Sequence, residues 1–209
     1  MKQIKLIVKT NSGKYPVFIG RNLVENLSSL FKENSINCKK YLLIIDKKIP
    51  KKIIAKVTKS LKKLEVYKHT FNASEKNKSQ KSIDKILNIL LKKNFTRNDC
   101  LVSIGGGITG DVSSFASSIF KRGLKFVNVP STLLSQVDSS IGGKTGINTT
   151  EGKNLVGSFY QPKLVISDIQ FLESLPSREI VCGYAEILKH SLIFDKNFYS
   201  FLNKNIHKI

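Results

Sequence analysis

A glycine-rich turn is the first segment of this sequence whose residue types could do chemistry. Three consecutive glycines, residues 105–107, directly follow the apolar run 101–104, and Asp111 comes soon after them. Glycines leave no side chain where the backbone must bend, so main-chain N–H groups can point at a phosphate. Thr109 is expected to cap the apolar helix that follows and to bring a helix N-terminus to the same point. Glycine turns after strands are common in α/β folds, so by itself the turn is equally consistent with a structural role.

Polar side chains that suit a small anionic molecule follow in the stretch 130–157. Hydroxyl, carboxylate, amide and lysine groups occur there among glycines, and few bulky residues separate them. A lysine acts as a point charge on phosphate, Asn and Asp bind hydroxyl groups, and glycine permits the close approach of a ligand. The stretch therefore indicates a site for an anionic, polyhydroxylated compound. Its polar candidates are Ser131, Thr132, Asp138, Lys144, Lys153 and Asn154.

The elements that would position these groups alternate between strand and helix patterns. Residues 41–45 are apolar and end at Asp46, as expected for a strand of a parallel sheet that is buried on both faces. An acid at the carboxyl end of such a strand often holds ribose hydroxyls, although a simple turn aspartate is an equally good interpretation. The alternation predicts a doubly wound, Rossmann-like α/β domain with its site at the carboxyl ends of the strands.

Periodicity also predicts the remaining elements and one boundary. Two alternating runs separated by residues 11–13 predict a hairpin, and Asn22 is expected to cap the helix that follows it. Beyond Asp168 only helical patterns occur, and Pro176 lies where the first turn of a helix is expected. We therefore predict an α/β domain over residues 1–173 and the beginning of an α-helical domain over residues 174–209. The other predicted strands span residues 65–71, 101–104, 126–129 and 164–168, and the helices span 53–64, 83–91, 179–193 and 196–202.

The composition is strongly basic, with 35 lysines and arginines against 15 acidic residues and a formal charge of +20. Such a charge invites a nucleic-acid interpretation. Arginine, which makes bidentate contacts to bases and phosphates, occurs at four positions only, and the lysines are dispersed along the whole chain. Dispersed lysine favours solvated protein faces over a nucleic-acid-binding stripe.

The cysteines and the apolar runs bear on the cellular compartment. Cys38, Cys100 and Cys182 are odd in number and widely spaced, without a C-x-x-C pair, so we expect free buried thiols of a reducing compartment. The N-terminal residues alternate like a strand and lack the apolar core of a signal peptide. The sequence contains no run of about 18 apolar residues, so it predicts no membrane-spanning segment and a cytoplasmic location.

Five segments stand out in the sequence, in this order: GGGITGD, FKRG, VPSTLLSQVDSSIGGKTGIN, EGKNLVGSFYQP and GYAEILKH. Together they closely resemble the 3-dehydroquinate synthase family of the shikimate pathway, and the resemblance covers roughly residues 46–195. It implies a lyase that cyclises 3-deoxy-D-arabino-heptulosonate 7-phosphate to 3-dehydroquinate with loss of phosphate, a step of chorismate and aromatic amino acid biosynthesis. It also implies NAD as a recycled cofactor, a divalent metal such as zinc or cobalt, and a homodimer.

The resemblance further implies roles for individual residues around the cofactor. Asp46, Glu75 and Lys78 would hold the adenosine end of NAD, while residues 107–111 would hold its pyrophosphate. The implied cofactor-binding residues are Asp46, Ala73, Ser74, Glu75, Lys76, Asn77, Lys78, Gly106, Gly107, Ile108, Thr109, Gly110, Asp111, Ser131, Thr132, Lys144, Lys153, Phe171, Leu172, Glu173 and Ser174.

A second implied set concerns the substrate and the metal. Arg122 would contact the substrate phosphate from the neighbouring subunit of a dimer, and Glu186 would be a metal ligand whose two histidine partners lie further downstream in the family. His69 and His190 are not expected to replace those histidines, since His190 is more typical of a structural residue, and His207 lies near the end of the sequence. We therefore expect this chain to be an incomplete portion that binds NAD weakly and does not turn over. The implied catalytic residues are Asp138, Lys144, Lys189, Arg122 and Asn154.

Three other functions remain open. The nearest is another sugar-phosphate cyclase of the same fold that acts on a different phosphorylated sugar. A metal-dependent alcohol dehydrogenase of the glycerol dehydrogenase type would differ by accumulating NADH. The third is a nucleic-acid-binding module that depends on the +20 charge, whose affinity for duplex or single-stranded nucleic acid would fall as the salt concentration rises.

Overall fold

The apolar run 41–45 forms an inner strand of a seven-stranded sheet. The structure is a computed structural model that describes residues 3–206, so His207 lies outside the described residues. The first two strands pair antiparallel, and the other strands of the sheet are parallel to the second. In chain order the strands are β1 (Ile4–Thr10), β2 (Gly13–Gly20), β3 (Lys40–Asp46), β4 (Glu65–Phe71), β5 (Cys100–Gly105), β6 (Lys125–Pro130), β7 (Lys144–Ile147), β8 (Val156–Phe159) and β9 (Leu164–Asp168).

The strand order places a crevice in the middle of the sheet. The order is β1-β2-β9-β6-β5-β3-β4, and β7 pairs with β8 in a separate antiparallel hairpin. The direction of winding reverses between β3 and β5, because β4 lies on one side of this pair and β6 and β9 lie on the other. In doubly wound sheets such a reversal opens a crevice at the carboxyl ends of the strands. Asp46 and Gly105, which end β3 and β5, therefore flank the expected site.

Helices cover both faces of the sheet. They are α1 (Leu27–Glu33), α2 (Lys51–Ser60), α3 (Gln80–Lys92), α4 (Gly107–Ile119), α5 (Ser177–Phe194) and α6 (Lys196–Asn205). Short 3-10 segments span residues 23–26, 75–77, 120–122 and 169–174, and a π-helical turn spans Ser135–Ser139. Within residues 3–206, every helix is too short or too polar to cross a bilayer.

The side chains of β3 point alternately into two apolar clusters. Leu43 packs in one cluster with Phe31 of α1 and Val57 of α2, whereas Leu42 packs in the other with Ile86 of α3. All these side chains are buried, so β3 is covered on both faces. This explains why the strand is uniformly apolar in sequence instead of alternating. The predicted doubly wound α/β fold is confirmed.

The sequence analysis missed three elements within residues 135–159. The π-helical turn and the strands β7 and β8 lie in the polar, glycine-rich stretch for which no helix or strand was predicted. Strands of four residues give little periodicity, and glycine is a poor strand former, so local pattern cannot reveal them. The division between residues 173 and 174 stays a prediction, since α5 contacts both α6 and the π-helical turn.

Two further expectations are wrong. Asn22 adopts a left-handed φ of 60°, and its side chain makes no capping hydrogen bond within the described residues. The buried Asp168 carboxylate instead accepts hydrogen bonds from the N–H groups of Asn22 and Val24, each at 3.0 Å. The cysteines are not uniformly buried either: Cys100 is buried, but Cys38 is half-buried and Cys182 is exposed.

Candidate active site

The glycine turn joins the end of β5 to the start of α4. Gly106 is the residue before the first helical position, and none of the described side chains caps the helix. The prediction that Thr109 caps this helix is wrong, because Thr109 lies inside the first turn and is fully buried. The first N–H groups of α4 are thus left without a side-chain acceptor in the described part of the chain. A helix start of this kind is suited to bind an anionic group.

Close approach of a neighbouring segment explains why glycine occupies this turn. A Cβ atom added to Gly106 would lie 3.0 Å from Cγ2 of Thr132, and one added to Gly107 would lie 3.0 Å from Oγ of Ser139. The segment after β6 therefore covers the turn so closely that side chains would crowd it. The result is a narrow cradle of backbone N–H groups beside two hydroxyl groups, which fits the pyrophosphate of a dinucleotide.

A cavity of about 400 Å³ opens beside the carboxyl end of β3. It brings together residues from three distant parts of the chain that the resemblance implied for the cofactor. Asp46 is 7% exposed, its Oδ1 accepts a hydrogen bond from the N–H of Lys48 at 3.0 Å, and burial raises the pKa of its carboxyl group. The implied cofactor residues that line this cavity are Asp46, Ser131, Thr132, Phe171 and Ser174.

A buried lysine links the loop after β4 to α4. Lys78 is 6% exposed, and its Nζ lies 2.5 Å from Oδ2 of Asp111 and 2.5 Å from Oδ1 of Asn154. Burial raises the pKa of the Asp111 carboxyl group, and the hydrogen bond from Lys78 opposes this effect. Three residues that are far apart in sequence thus meet through one ammonium group.

Asn148 completes this network, although sequence analysis did not select it as a site residue. Its N–H donates to the carbonyl oxygen of Lys78 at 2.8 Å, and its Nδ2 donates to Oε2 of Glu75 at 2.8 Å. Its Oδ1 accepts from the N–H of Asn154 at 3.1 Å. The hydrogen bond from Asn148 is the main cause of the lowered pKa of Glu75, whose Oε2 also lies 3.6 Å from Nζ of Lys153. Its place in the motif ending GKTGIN, among amide and hydroxyl residues, was the available sequence signal.

A second cavity, of about 530 Å³, is bordered by this network. Asp111 and Asn154 line it together with Asp138 of the π-helical turn and Lys144, the first residue of β7. Lys144 is exposed, so its ammonium group is accessible to an anionic ligand. This cavity therefore combines carboxylate, amide and ammonium groups at the carboxyl edge of the sheet.

A trio of possible metal ligands forms where α5 contacts the π-helical turn. Asp138, Glu186 and His190 each offer one ligand atom, and these atoms lie within 4.8 Å of one another. Nε2 of His190 is 3.9 Å from Oδ1 of Asp138. Carboxylate oxygen and imidazole nitrogen are ligands that Zn²⁺ and Co²⁺ accept, so these residues fit a divalent metal.

Two contacts position this trio. One joins Glu186 to Lys189, and the other packs α5 against the segment before the π-helical turn. Lys189 forms an ion pair with Glu186, and this contact is the main cause of the raised pKa of the Lys189 ammonium group. A Cβ atom added to Gly183 would lie 2.5 Å from Cγ of Leu133 and 2.6 Å from the backbone nitrogen of Leu134. Gly183 thus allows α5 to lie directly against the segment before the π-helical turn. This contact brings Glu186 within reach of Asp138.

Arg122 lies at the opposite edge of the sheet from these cavities. It precedes β6, is exposed, and lines a separate cavity of about 520 Å³ with Arg97, Lys125 and Lys163. Strands β5, β6 and β9 begin at this edge, whereas the other implied site residues cluster where strands end. Within one copy of the chain, Arg122 is therefore not placed with the implied substrate residues.

Ile108 and Gly110 lie in the first turn of α4, while the remaining implied cofactor residues lie in short 3-10 segments or next to them. Ser74 accepts a hydrogen bond from the N–H of Asn77 and so caps the segment after β4, while Lys76 is exposed. Leu172 and Glu173 lie in the segment after β9, and Glu173 forms an ion pair with Arg21. These residues shape the loops beside the crevice.

Asp168 is a buried structural centre that the sequence analysis noted only as the end of a strand. Its Oδ1 accepts from the N–H groups of Asn22 and Gln170, and its Oδ2 accepts from Val24 N–H and from Nε2 of Gln170. Its carbonyl oxygen accepts from Nε2 of Gln136 at 3.1 Å. An acid at the end of an apolar strand, as at Asp46, was the available signal. The carboxylate of Asp168 thus accepts from three backbone N–H groups and one side-chain amide of the protein itself.

Comparison with known proteins then identifies the family. The family model for the N-terminal part of 3-dehydroquinate synthase matches residues 68–182, which is more than half of the chain and includes the glycine turn and the Lys78 network. The chain belongs to the 3-dehydroquinate synthase family. The 3-dehydroquinate synthase of Pelagibacter ubique (strain HTCC1062) is 66% identical over 209 residues, which cover 100% of this chain and 57% of that protein.

Solved structures of other enzymes share this 3-dehydroquinate synthase fold. A 2-deoxy-scyllo-inosose synthase, complexed with carbaglucose-6-phosphate, NAD+ and Co2+, aligns with a TM-score of 0.84 and 27% identity over 90% of this chain and 51% of its own. The 2-epi-5-epi-valiolone synthase of Streptomyces hygroscopicus subsp. jinggangensis 5008, with NAD+ and Zn2+ bound, shares the fold at a TM-score of 0.83 and 24% identity, over 97% of this chain and 55% of its own. The chain thus spans little more than half the length of these matches, and it belongs to a family of enzymes.

Proposed function

We propose that this chain supplies the NAD-binding part and part of the metal and substrate site of a 3-dehydroquinate synthase. The whole enzyme would act in the cytoplasm and convert 3-deoxy-D-arabino-heptulosonate 7-phosphate to 3-dehydroquinate and phosphate, as a carbon–oxygen lyase. The observation that carries this proposal is the Lys78 network, which lies inside the family match and contributes Asp111 and Asn154 to the second cavity. One cavity would take the dinucleotide, and the other would take the phosphorylated sugar acid.

Several residues would bind the dinucleotide. The N–H groups at the start of α4 would face the pyrophosphate, and the buried carboxylate of Asp46 would accept hydrogen bonds from ribose hydroxyls. Ser131 and Thr132 would border the same cavity. Lys78 would hold Asp111 and Asn154 in place, since its ammonium group contacts both side chains. The binding surface would thus be preorganised before the ligand arrives.

Other residues would bind and orient the substrate. Bound NAD would supply transient oxidation of a substrate hydroxyl, and a divalent metal would polarise the neighbouring oxygens. Lys144, Lys153 and Lys189 would place positive charge where the carboxylate and the phosphate of the substrate lie. Asp138 and the amide of Asn154 would fix the hydroxyl groups, while Glu186 would contribute a carboxylate ligand to the metal.

Arg122 would act across a homodimer. Its location at the amino ends of the strands separates it from the other implied substrate residues in the same copy of the chain. A guanidinium group from a neighbouring subunit would reach the phosphate in the way the resemblance implies. Mixing an Arg122→Ala variant with a Lys144→Met variant tests this, because mixed dimers would regain one intact site and hence activity. Absence of regained activity in verified mixed dimers would contradict a shared site.

Product analysis on the complete gene product that contains this chain tests the reaction. With NAD and Zn²⁺ present, we expect release of phosphate and formation of 3-dehydroquinate, without accumulation of NADH. Lys144→Met should lower kcat/KM about thirtyfold, equivalent to about 2 kcal/mol for a lost charged contact, while exposed Lys9→Met should leave it unchanged. Accumulating NADH would indicate a dehydrogenase, and a different cyclic product would indicate another sugar-phosphate cyclase.

The 209-residue chain itself provides a separate test. We propose that it binds NAD weakly and does not turn over, because the two further histidine ligands that the resemblance implies are not among its residues. Calorimetry with NAD+ should give a saturable signal, and an assay with substrate, NAD and Zn²⁺ should give no phosphate. Detectable phosphate release would contradict the second statement without affecting the first.

A further inference from the structure

A strained loop carries Arg122 at the edge of the sheet where β6 begins. The loop spans residues 120–124 and joins α4 to β6. Lys121 and Arg122 adopt left-handed φ angles of 46° and 64°, and Gly123 follows with a φ of 124°. Residues other than glycine rarely adopt such angles, and they keep them only where surrounding contacts hold them. The conformation that presents Arg122 therefore depends on contacts made to this loop.

The side chain of Tyr160 supplies these contacts. Its hydroxyl donates to the carbonyl oxygen of Leu124 at 2.7 Å, and its ring packs against the apolar cluster that contains Phe120 and Leu124. A Cβ atom added to Gly123 would lie 3.3 Å from the Tyr160 hydroxyl oxygen, so the loop lies directly against this side chain. Burial raises the pKa of Tyr160, so its hydroxyl keeps its proton and remains a donor at neutral pH. Tyr160 thus contacts both ends of the loop.

The backbone of Tyr160 is fixed in turn by the hairpin that carries Lys144. Its N–H donates to the carbonyl oxygen of Gly143 at 2.7 Å, and the preceding Phe159 pairs in register with Lys144. The Tyr160 side chain lines the basic cavity of Arg122 and also a smaller cavity that Lys144 lines. One residue therefore connects the loop of Arg122 to the hairpin that borders the second cavity.

We propose that Tyr160 is a positioning residue that holds Arg122 for contact with the phosphate of the substrate in the neighbouring subunit. This inference rests on the proposed role of Arg122 across a homodimer. A guanidinium group on a loop free to leave its left-handed conformation would sample several positions and make a weaker bidentate contact with phosphate. The hydrogen bond from Tyr160 to the Leu124 carbonyl oxygen removes this freedom before the substrate binds.

Kinetics of the complete gene product with NAD and Zn²⁺ test this role through Tyr160→Phe, which removes only the hydroxyl group. We expect the KM of the substrate to rise about fivefold, the factor that corresponds to one ordinary hydrogen bond. The inhibition constant of inorganic phosphate should rise by the same factor, because both ligands would use the Arg122 guanidinium. A contact made equally in the ground state and the transition state changes KM alone, so kcat and the affinity for NAD+ should stay unchanged. A general structural defect would lower these two quantities as well.

Two further single variants support this measurement. The matched control is Tyr67→Phe, whose hydroxyl also donates at 2.7 Å but contacts Glu65 on the edge strand β4, so both constants should stay unchanged. Gly123→Ala disturbs the same loop from the other side, since alanine rarely adopts a φ of 124°. It should raise both constants together, and it provides the test if Tyr160→Phe does not fold. Unchanged constants in the folded Gly123→Ala protein would overturn the inference.

The double variant decides whether the Tyr160 hydroxyl acts through Arg122. Arg122→Ala alone should raise KM about tenfold or more, since a charged hydrogen bond to phosphate is lost. Adding Tyr160→Phe should then change KM less than about twofold, because no guanidinium group remains to be positioned. A further fivefold rise, or an unchanged KM in Tyr160→Phe beside a raised KM in Arg122→Ala, would overturn this inference alone. An unchanged KM in Arg122→Ala would overturn the proposed role of Arg122 and the inference with it.

Discussion

Nζ of Lys78 lies 2.5 Å from Oδ2 of Asp111 and 2.5 Å from Oδ1 of Asn154. This relationship joins the loop after β4 to the helix that follows the glycine turn. Both ions are largely removed from water, so each depends on the other for compensation of its charge. The contact also borders the cavity that would receive the substrate. It is the point at which the stability of the fold and the shape of the site depend on the same atoms.

Lys78→Met should be strongly destabilising. The substitution leaves the Asp111 carboxylate buried without its cation and removes the hydrogen bond to Asn154, which should cost about 3–5 kcal/mol of unfolding free energy. Urea unfolding measures the change. The matched control is Lys76→Met, which removes an exposed lysine from the same loop and should cost less than about 0.5 kcal/mol. Equal stability of the two variants would contradict a supporting role for the buried ion pair.

Asp46→Asn should weaken NAD binding without weakening the fold. Burial raises the Asp46 pKa above its ordinary value near 3.8, so the folded state binds the proton more tightly than the unfolded state. The resulting stability is fully present below the ordinary pKa and is lost as pH rises through the folded pKa. At about pH 7 the uncharged Asn avoids this loss, so its unfolding free energy should equal or exceed that of the wild type.

The affinity of Asp46→Asn for NAD+ should fall roughly ten- to hundredfold, since a hydrogen bond to a charged acceptor contributes roughly 1.5–3 kcal/mol. Calorimetry measures this affinity, and urea unfolding over a pH series measures the stability difference. Asp84→Asn, which changes an exposed acid on α3, is the control for both measurements. A stability gain that is larger in acid than at neutral pH would contradict the assigned cause.

Gly183→Ala should separate α5 from the segment before the π-helical turn. The new Cβ would lie 2.5 Å from Cγ of Leu133, so the helix must shift, at a cost of about 1–3 kcal/mol. The shift should also move Glu186 away from Asp138 and weaken Zn²⁺ binding to the trio. Unfolding and metal titration check the two effects. Ala185→Ser, at an exposed position two residues along the same helix, should change neither quantity.

Asp168→Asn should destabilise the protein more than the removal of an ordinary helix cap. The buried carboxylate accepts hydrogen bonds from four donor groups, and an amide nitrogen in place of one oxygen would face two of these donors. We expect a loss of about 2–4 kcal/mol. Asp195→Asn, which keeps an acceptor for the N–H groups at the exposed start of α6, should cost about 0.5 kcal/mol or less. Thermal unfolding compares the two variants.

The alkylation rate of Cys38 should rise with pH through a midpoint of about 7, the pKa that its surroundings give the thiol. The reactive species is the thiolate, so the rate follows the deprotonated fraction. Iodoacetamide labelling of the Cys182→Ser protein, read by mass spectrometry, gives the profile. Cys100 should remain unlabelled until the protein is unfolded, because its side chain is buried. A midpoint near the ordinary thiol value of about 8.5 would contradict the assigned environment.

Local pattern determined much of the framework of this protein. The alternation of apolar strands with amphipathic helices predicted the doubly wound fold, because a strand covered on both faces, such as β3, must be apolar throughout. The glycine turn between β5 and α4 was also visible, since three consecutive glycines after an apolar run mark a sharp turn at the end of a strand. Both signals are local: burial and backbone geometry act on residues that are adjacent in sequence.

The tertiary structure alone decided which of these residues meet. Asn22 and Asp168 are separated by 146 positions, and Lys78 and Asn154 by 76. Sequence periodicity therefore could not predict that the residues of either pair are hydrogen-bonded. The same holds for Gly183, whose missing side chain matters only because Leu133 lies against it. The sequence determined the strands and the chemical groups, because propensity and hydrophobic pattern are properties of neighbours along the chain. The reversal of winding between β3 and β5 determined where the site lies, because hydrogen bonds and close packing depend on distances that exist only after folding.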